Sequence, residues 1–203
     1  MSQPLRVGVL ASNRGTNLQA LLDATHRPGF PARVVVVASD REDAPALGRA
    51  ASAGVAAVFL NPKDAAEPDA YDAALDRVLR DHRVGLVCLA GFMRILGPAF
   101  VRAWRGRLLN VHPALLPAFP GLHAQRQALE YGVKIAGATI HFVDEGLDTG
   151  PIILQSSVPV EPDDTEASLA GRILAEEHRL YPEAVRLFAE GRIRIVGRRV
   201  IVE

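Results

Sequence analysis

Asn110 and His112 are two residues apart in a short apolar segment, 108–112. In a strand, the side chains of residues i and i+2 point to the same face, so we expect this pair to face one site. An asparagine amide can donate an N–H group to a developing oxyanion, and an imidazole can move a proton. The pair therefore predicts chemistry through a tetrahedral oxyanion. The alternative is a capped strand end with an exposed histidine.

An acidic loop at 144–151 could supply a carboxylate partner for this histidine. Aspartate and glycine are common in turns, so a solvated turn is the alternative. A carboxylate within reach of His112 would favour the imidazolium and raise the pKa of the ring above its ordinary value of ~6.5. We therefore expect a protonated His112 that stabilises an oxyanion and later gives up its proton.

A second polar loop, Ser12–Asn17, connects the first predicted strand to the first predicted helix. Thr16 and Gln19 have the spacing of a capping box, with Thr16 as the cap. Backbone N–H groups at a helix N-terminus suit a phosphate, and the first strand–helix turn of an open α/β sheet commonly faces the ligand crevice. The loop is neither a dinucleotide fingerprint nor a P-loop. It predicts a monophosphate site, with an ordinary helix cap as the alternative.

The remaining histidines and the single cysteine do not indicate a metal site. His123, His141 and His178 lack metal-ligand spacing relative to His112, so we expect no bound metal. Cys88 lies in an apolar segment, where a small buried side chain is expected, and one cysteine excludes an internal disulfide.

Continuous apolar segments in the first half predict strands that are covered on both faces, as in a parallel sheet. They are Val7–Ala11, Val34–Ala38 and Leu86–Ala90. A helical stripe lies between the last two, at positions 71, 74, 75, 78 and 79. This alternation predicts an α/β fold: an open, mostly parallel twisted sheet with helices on both faces, similar to a Rossmann fold.

The second half has a different pattern. A proline-rich stretch at 113–121 predicts a shaped loop, and residues 124–131 predict a short helix. Two strands are predicted at 138–143 and 152–155. A long helix, 165–191, is predicted to begin at Thr165 and to be interrupted at Pro182, and a terminal hairpin is predicted at 192–203. We expect one domain over 1–203, with a phosphate-binding lobe at about 1–105 and a catalytic lobe at about 106–203.

Composition limits the class of partner. The 203 residues carry 23 basic and 23 acidic side chains, and this neutral balance argues against a nucleic-acid partner bound by bulk attraction. No apolar run reaches the ~18–20 residues that span a bilayer, and Met1–Arg6 lacks the form of a signal peptide. We therefore expect a cytoplasmic protein that binds small molecules and no membrane, as a monomer or homodimer.

Five blocks, spread over nearly the whole chain, carry a family resemblance. They are Ser12–Ala20, Leu89–Leu96, Leu109–Pro117, Pro120–His123 and Leu147–Ile152. In this order they resemble the phosphoribosylglycinamide formyltransferase family. The resemblance implies a formyltransferase fold and transfer of a formyl group from 10-formyltetrahydrofolate, as co-substrate, to the amine of 5'-phosphoribosylglycinamide in purine biosynthesis, without a metal.

The resemblance also implies roles for individual residues. The catalytic set would be Asn110, His112 and Asp148, with Asp148 raising the pKa of His112. The ribonucleotide would be bound by Gly15, Thr16, Asn17 and Glu177, the first three at its phosphate. The folate would be bound by Met93, Arg94, Ile95, Leu96, Asn110, Asp144, Glu145, Gly146 and Leu147. Plain core packing is the alternative for Ile95 and Leu96.

Other users of formyl-folate remain as alternatives. A formyl-folate hydrolase, a methionyl-tRNA formyltransferase or a sugar-amine formyltransferase usually has an additional domain, for which 203 residues leave no room. The neutral charge also disfavours tRNA. A catalytically silent binding module is the alternative outside enzymes, and the intact Asn110, His112 and Asp148 set argues against it.

Overall fold

A computed structural model describes residues 3–65 and 67–203, so Met1 and Ser2 of the expected N-terminal segment lie outside the described residues. The chain divides into two compact units, one up to Leu109 and one from Asn110 onward. In the described part of the chain, no helix combines the length and the hydrophobicity that a membrane crossing requires. The single domain with two lobes stays a prediction.

The described part of the first unit contains the strands Leu5–Leu10 (β1), Ala32–Ser39 (β2), Ala56–Phe59 (β3) and Leu86–Leu89 (β4). They lie in the order β3-β2-β1-β4, and the pairs β1–β2, β1–β4 and β2–β3 are all parallel. The helices are Thr16–Thr25 (α1), Pro45–Ser52 (α2), Pro68–Asp81 (α3) and Pro98–Ala103 (α4), with a 3-10 turn at Pro62–Asp64. The three predicted strands are confirmed, whereas β3, which is short and half-exposed, was not predicted.

Burial explains why the sequence pattern identified these strands and this helix. Val7, Val9, Val36 and Val37 are fully buried, as expected for strands that are covered on both faces. The stripe predicted for α3 is confirmed by its buried side chains at 71, 75 and 79. Helices lie on both faces of the sheet, so the predicted α/β fold class is confirmed.

The start of α1 differs from the prediction. The N-cap is Gly15, in a left-handed conformation (φ 69°), and no side chain caps the helix, so a capping box with Thr16 as the cap is wrong. The side chain of Gln19 is bound elsewhere: its amide donates to Asp23 at 2.8 Å, and its oxygen accepts from Arg49 at 3.0 Å. It therefore cannot reach back to close the box.

The second unit contains strands in the order β5-β6-β7-β9-β8. Their bounds are Leu108–His112 (β5, which begins two residues before the boundary), Ile135–Phe142 (β6), Ile152–Pro159 (β7), Ile193–Val196 (β8) and Arg199–Val202 (β9). The helices are Ala124–Tyr131 (α5) and Glu166–Ala189 (α6). β6 and β7 are antiparallel, and β8 and β9 form the predicted terminal hairpin, with Gly197 at φ 61° in its turn.

α6 runs through Pro182 without a break, so the predicted interruption there is wrong. A proline inside a helix removes one N–H donor and costs about 3 kcal/mol. The turns around it bury Tyr181, Ala184 and Val185 completely. Full burial of a side chain the size of valine contributes about 1.5–3 kcal/mol, so the packing of Val185 and its neighbours offsets the lost hydrogen bond. The helix starts where predicted, and Thr165 is its N-cap, in a capping box with Ser168.

Candidate active site

Asn110 and His112 meet the carboxylate of Asp148. His112 Nδ1 lies 3.4 Å from Asp148 Oδ2, and Asn110 Nδ2 lies 3.5 Å from the other oxygen, Oδ1. His112 is only 4% exposed, and the side chain of Asp148 is nearly buried. The alternation of side chains along β5 therefore sends both residues to one carboxylate, on the loop between β6 and β7. The second unit thus brings together the three residues predicted as catalytic.

Asp148 is held in place by its own backbone and by the neighbouring loops. Its φ is 53°, a conformation that side-chain-bearing residues seldom adopt, and the N–H of Gly121 donates to Oδ2 at 2.8 Å. At Gly150, a Cβ atom would lie 1.7 Å from the carbonyl oxygen of Phe142, so no side chain fits there. The loop that carries Asp148 therefore has little freedom to move the carboxylate away from His112.

The pKa of Asp148 is lowered overall. Burial by itself raises it, but the nearby His141 ring, the Gly121 N–H and His112 all stabilise the carboxylate and together outweigh burial. Asp148 is therefore ionised at neutral pH and presents a negative charge to the rings beside it.

The pKa of His112 is lowered, so the expected increase above the ordinary value is wrong. Burial disfavours the imidazolium and is the largest cause. The carbonyl of Phe119, which lies 2.8 Å from Nε2, and the charge of Asp148 both raise the pKa, as expected of a carboxylate, but they offset burial only in part. In the structure the ring is thus mostly neutral at pH 7.

The contacts of His112 indicate where it takes up a proton. A carbonyl oxygen only accepts, so Nε2 carries the N–H that donates to Phe119. In the neutral ring, Nδ1 has no proton and faces the Asp148 carboxylate at 3.4 Å. With a proton on Nδ1 as well, the ring would donate to the Asp148 carboxylate and to the Phe119 carbonyl at once. The site is therefore arranged to stabilise one additional proton at Nδ1.

His141 is part of the cluster, and sequence reasoning missed it. This buried side chain of β6 lies with Nδ1 2.8 Å from the carbonyl of Phe142 and Nε2 3.2 Å from Asn110 Nδ2. Its Nε2 is also 3.6 Å from Asp148 Oδ1. The available signal is a histidine inside a largely apolar strand, which a search for metal-ligand spacing does not detect.

The partners of Asn110 leave one donor for a ligand. Its Nδ2 has two hydrogens, and one contacts His141 Nε2 at 3.2 Å. Within the described part of the chain, the other contact of the amide nitrogen is with Asp148, at 3.5 Å, which is at the limit for a hydrogen bond. An oxyanion could therefore accept the second N–H at little cost.

The residues predicted to bind phosphate lie at the start of α1, in the first unit. A Cβ atom on Gly15 would be 2.9 Å from the Cα of Ala46, so this position requires glycine for its space as well as for its positive φ. Thr16 is the first residue of the helix, and Asn17 is buried in its first turn. The first N–H groups of a helix have no carbonyl partner one turn earlier, which makes this end suitable for an anion.

The residues predicted to bind folate in the first unit lie between β4 and α4. Met93 and Ile95 are 57% and 93% exposed, whereas Leu96 is buried. Leu96 is therefore buried, as the core-packing alternative expects, whereas Ile95 is too exposed for that alternative. Arg94 lies over the ring of Tyr71, with 4.6 Å from its Cζ to the ring centroid.

The acidic loop of the second unit is closed by its own hydrogen bonds. Asp144 Oδ1 accepts from the backbone N–H of Gly146 at 3.1 Å and from the Thr149 hydroxyl at 2.6 Å. Glu145 and Leu147 are exposed. The predicted turn is therefore present, and it holds Asp144 while leaving the tip accessible.

Glu177, the remaining predicted binding residue, lies in the middle of α6 and is 7% exposed. A buried glutamate is unusual, which is consistent with a specific role. Among residues 3–65 and 67–203, no group of three or more histidine, cysteine, aspartate or glutamate side chains could hold a metal ion.

Comparison with known proteins gives one family. The sequence profile described as formyl transferase matches residues 5–185. The chain is 49% identical over 197 residues to phosphoribosylglycinamide formyltransferase of Mycobacterium tuberculosis, covering 97% of this chain and 91% of that protein. The crystal structure of glycinamide ribonucleotide transformylase 1 from Symbiobacterium toebii is 56% identical, with a TM-score of 0.97 and coverage of 100% of this chain and 95% of that one.

Longer relatives match over one part only. The chain is 53% identical over 188 residues to the trifunctional purine biosynthetic protein adenosine-3 of Drosophila melanogaster, covering 92% of this chain. It spans 14% of the length of that relative, and at most 19% of the other trifunctional proteins it matches.

Proposed function

Because the chain belongs to the formyl transferase family, we propose that it transfers the formyl group of 10-formyltetrahydrofolate to the amine of 5'-phosphoribosylglycinamide in purine biosynthesis. The names of its full-length relatives support this reaction. The observation that carries the proposal is the cluster of Asn110, His112 and Asp148, in which Asn110 and His112 both have an atom within 3.5 Å of the Asp148 carboxylate.

The reaction needs an oxyanion to be stabilised. The substrate amine attacks the formyl carbon, a C–N bond forms, and the carbonyl electrons move to oxygen. The second N–H of Asn110, which has only a long contact with Asp148, is the donor for that oxygen. His112 offers its Nε2–H as a second donor once the oxyanion replaces the carbonyl of Phe119.

The reaction also moves a proton from the attacking amine to the leaving folate nitrogen. A neutral His112 can accept this proton, directly or through water, and return it as the bond from carbon to the folate nitrogen breaks. The ionised Asp148, 3.4 Å from Nδ1, stabilises the imidazolium while it lasts. This corrects the expected mechanism, because the charge on His112 arises during the reaction. These steps require no metal ion.

The binding roles extend to the remaining predicted residues. Gly15, Thr16 and Asn17 bind the phosphate at the start of α1, and Glu177 contacts the ribonucleotide. The folate is bound by Met93, Arg94, Ile95, Leu96, Asn110, Asp144, Glu145, Gly146 and Leu147. Exposed Met93 and Ile95 support this assignment, because apolar side chains open to solvent can cover a pterin ring. The protein is proposed to act in the cytoplasm, as a monomer or homodimer.

A product assay tests the proposed function. The purified protein is incubated with both substrates, and formylated ribonucleotide is measured by mass spectrometry, with Asn110→Ala as the control for contaminating activity. We expect formylated product from the wild type and little from the variant. Release of formate with no formylated amine would contradict transfer and favour the hydrolase.

A further inference from the structure

We propose that Arg49 is a positioning residue for the ribonucleotide: its guanidinium holds the loop before α1 so that the backbone N–H of Gly15 is directed at the phosphate. The inference rests on the proposed phosphate-binding role of Gly15, Thr16 and Asn17, and it adds the side chain, on a separate helix, that orients their loop. Arg49 lies in α2, outside the five blocks of the sequence that carry the family resemblance.

The guanidinium of Arg49 contacts both the loop and the helix that follows it. Its Nε donates to the carbonyl oxygen of Arg14 at 2.8 Å, and its Nη1 donates to Oε1 of Gln19 at 3.0 Å. Arg14 lies in the loop, and Gln19 is the fourth residue of α1. One planar group therefore spans the point at which the loop becomes the helix.

The side chain of Arg49 is itself restrained. Its partner Gln19 is fixed in turn, because the amide nitrogen of Gln19 donates to Asp23 Oδ1 at 2.8 Å. The stem of Arg49 lies beside the loop, since a Cβ atom on Gly15 would be 3.4 Å from its Cδ. A half-buried arginine that is held at its stem and at two nitrogens loses much of the rotamer freedom that it has in water.

The bond to Arg14 sets the direction of the next N–H group. A peptide group is planar, and in its trans form the C=O and the N–H point in opposite directions. The carbonyl of Arg14 and the N–H of Gly15 belong to one peptide group, which is trans. Because Arg49 draws this carbonyl towards α2, the N–H of Gly15 points away from α2, where a phosphate can accept it.

A backbone contact of α2 acts in the same way one residue earlier. The N–H of Ala46 donates to the carbonyl oxygen of Asn13 at 3.3 Å, so the N–H of Arg14 also points away from α2. This bond is longer than the usual ~2.7–3.2 Å, whereas the bond from Arg49 is shorter and comes from a charged group, which makes such bonds roughly twice as strong. Arg49 therefore contributes most to the orientation of the loop.

The first experiment measures the loop without any ligand. Arg49→Met removes both donors, and the backbone order parameter of the Gly15 N–H, from NMR relaxation, should then decrease. Arg6→Met is a matched control in the same unit, because Arg6 Nε donates to the carbonyl of His82 at 2.8 Å and so makes the same kind of bond elsewhere. An unchanged order parameter in Arg49→Met, or an equal decrease in both variants, would overturn the role of Arg49.

The second experiment measures what the loop recognises. Calorimetry compares 5'-phosphoribosylglycinamide with its dephosphorylated form. Arg49→Met should weaken binding of the phosphorylated ligand about 5-fold, the size of one lost hydrogen bond, and leave binding of the dephosphorylated ligand unchanged. Arg6→Met should bind both as the wild type does. An equal loss for both ligands in Arg49→Met would make Arg49 merely structural and overturn the inference.

Gln19→Met tests the same contacts even if Arg49→Met is poorly folded. It removes only the second acceptor of the guanidinium, so it should reduce the preference for the phosphorylated ligand by less than Arg49→Met does. Combined with Arg49→Met it should add nothing, because Gln19 acts on the loop through Arg49. An unchanged preference in Gln19→Met, or a fully additive loss in the double variant, would contradict the inference.

The same measurements separate this inference from the function on which it rests. Equal affinities of the wild type for the two ligands would remove the phosphate role of the loop, and the inference with it. A preference for the phosphorylated ligand that Arg49→Met retains would overturn the inference alone. A preference that Arg49→Met loses, in a protein that forms no formylated product, would support the inference and contradict the proposed transfer.

Discussion

At the scale of single residues, His112 is subject to opposing influences. Burial lowers its pKa, whereas the Phe119 carbonyl and the Asp148 carboxylate raise it. A ring in this balance is neutral at rest and gains its proton only when a reaction supplies one. This suits a step in which one group must both accept and return a proton near neutral pH.

Asp148→Asn tests this balance. Because the variant removes the negative charge 3.4 Å from Nδ1, the pKa of His112 should fall further below its ordinary value. NMR titration of the His112 ring in both proteins measures the change. An unchanged titration would remove Asp148 from the proposed role.

Asn110→Ala tests the oxyanion donor. Loss of such a donor typically lowers kcat ~10²–10³-fold, because the hydrogen bond is strongest when negative charge has developed. We expect a loss of this size with little change in the KM of the ribonucleotide. Steady-state kinetics measures it, with Asn61→Ala, outside the site, as the control. A loss confined to KM would show that Asn110 contributes to ground-state binding alone.

At the scale of elements, the start of α1 depends on one glycine. Gly15 has a φ of 69° and lies against the backbone of Ala46. Gly54 has a similar φ of 68° but has no atom within 4 Å of where its Cβ would be. The two positions therefore share the conformational strain of a substitution and differ in the clash.

Gly15→Ala should lower affinity for the ribonucleotide, because the loop must move away from Ala46 and its N–H groups then turn from the phosphate. Gly54→Ala should lose about 1 kcal/mol of stability from its positive φ and keep its affinity. Calorimetry with the ribonucleotide and with its dephosphorylated form measures both variants. Equal affinities for the two ligands in the wild type would reject the loop as the phosphate site.

α6 shows how an element can override a local rule. Pro182 predicted an interruption from its chemistry alone, yet the helix continues because Tyr181 and Ala184 are fully buried on either side of it. The free-energy cost of the proline depends on its own helical turn, whereas the gain from packing depends on residues elsewhere in the chain. A prediction from the local sequence includes the cost and not the gain.

At the scale of the whole molecule, histidines that are buried or partly buried make stability depend on pH. Burial lowers the pKa of both His112 and His178 in the folded state. Below the unfolded value of ~6.5, the unfolded chain therefore binds more protons than the folded one, and the free energy of unfolding falls as the pH decreases. Asp164 contributes at lower pH. Its pKa is lowered to about 2 in the folded state, so its stabilising contribution is lost as the pH falls from the ordinary pKa of an aspartate towards 2.

Thermal unfolding between pH 8 and pH 5 tests this dependence. The unfolding temperature should fall with pH in the wild type, and it should fall less in His112→Gln and in His178→Gln. The same slope in all three proteins would contradict the contribution of the two histidines.

The sequence by itself determined the features that depend on local order. The buried strands, the bounds of α5, the terminal hairpin and the common face of Asn110 and His112 all follow from periodicity and turn chemistry, which act between near neighbours. The family blocks follow from the order of residues as well.

Only the tertiary structure decided the environment of the site. That His141 joins Asn110, that Gly121 and Phe119 supply a donor and an acceptor, and that His112 has a lowered pKa all depend on distances between residues far apart in the chain. The acidic residues of the sequence correctly indicate a carboxylate that raises the pKa of His112. Burial lowers that pKa by more, so the net shift is downward. Burial depends on how the whole chain packs, and no single segment of the sequence contains that information.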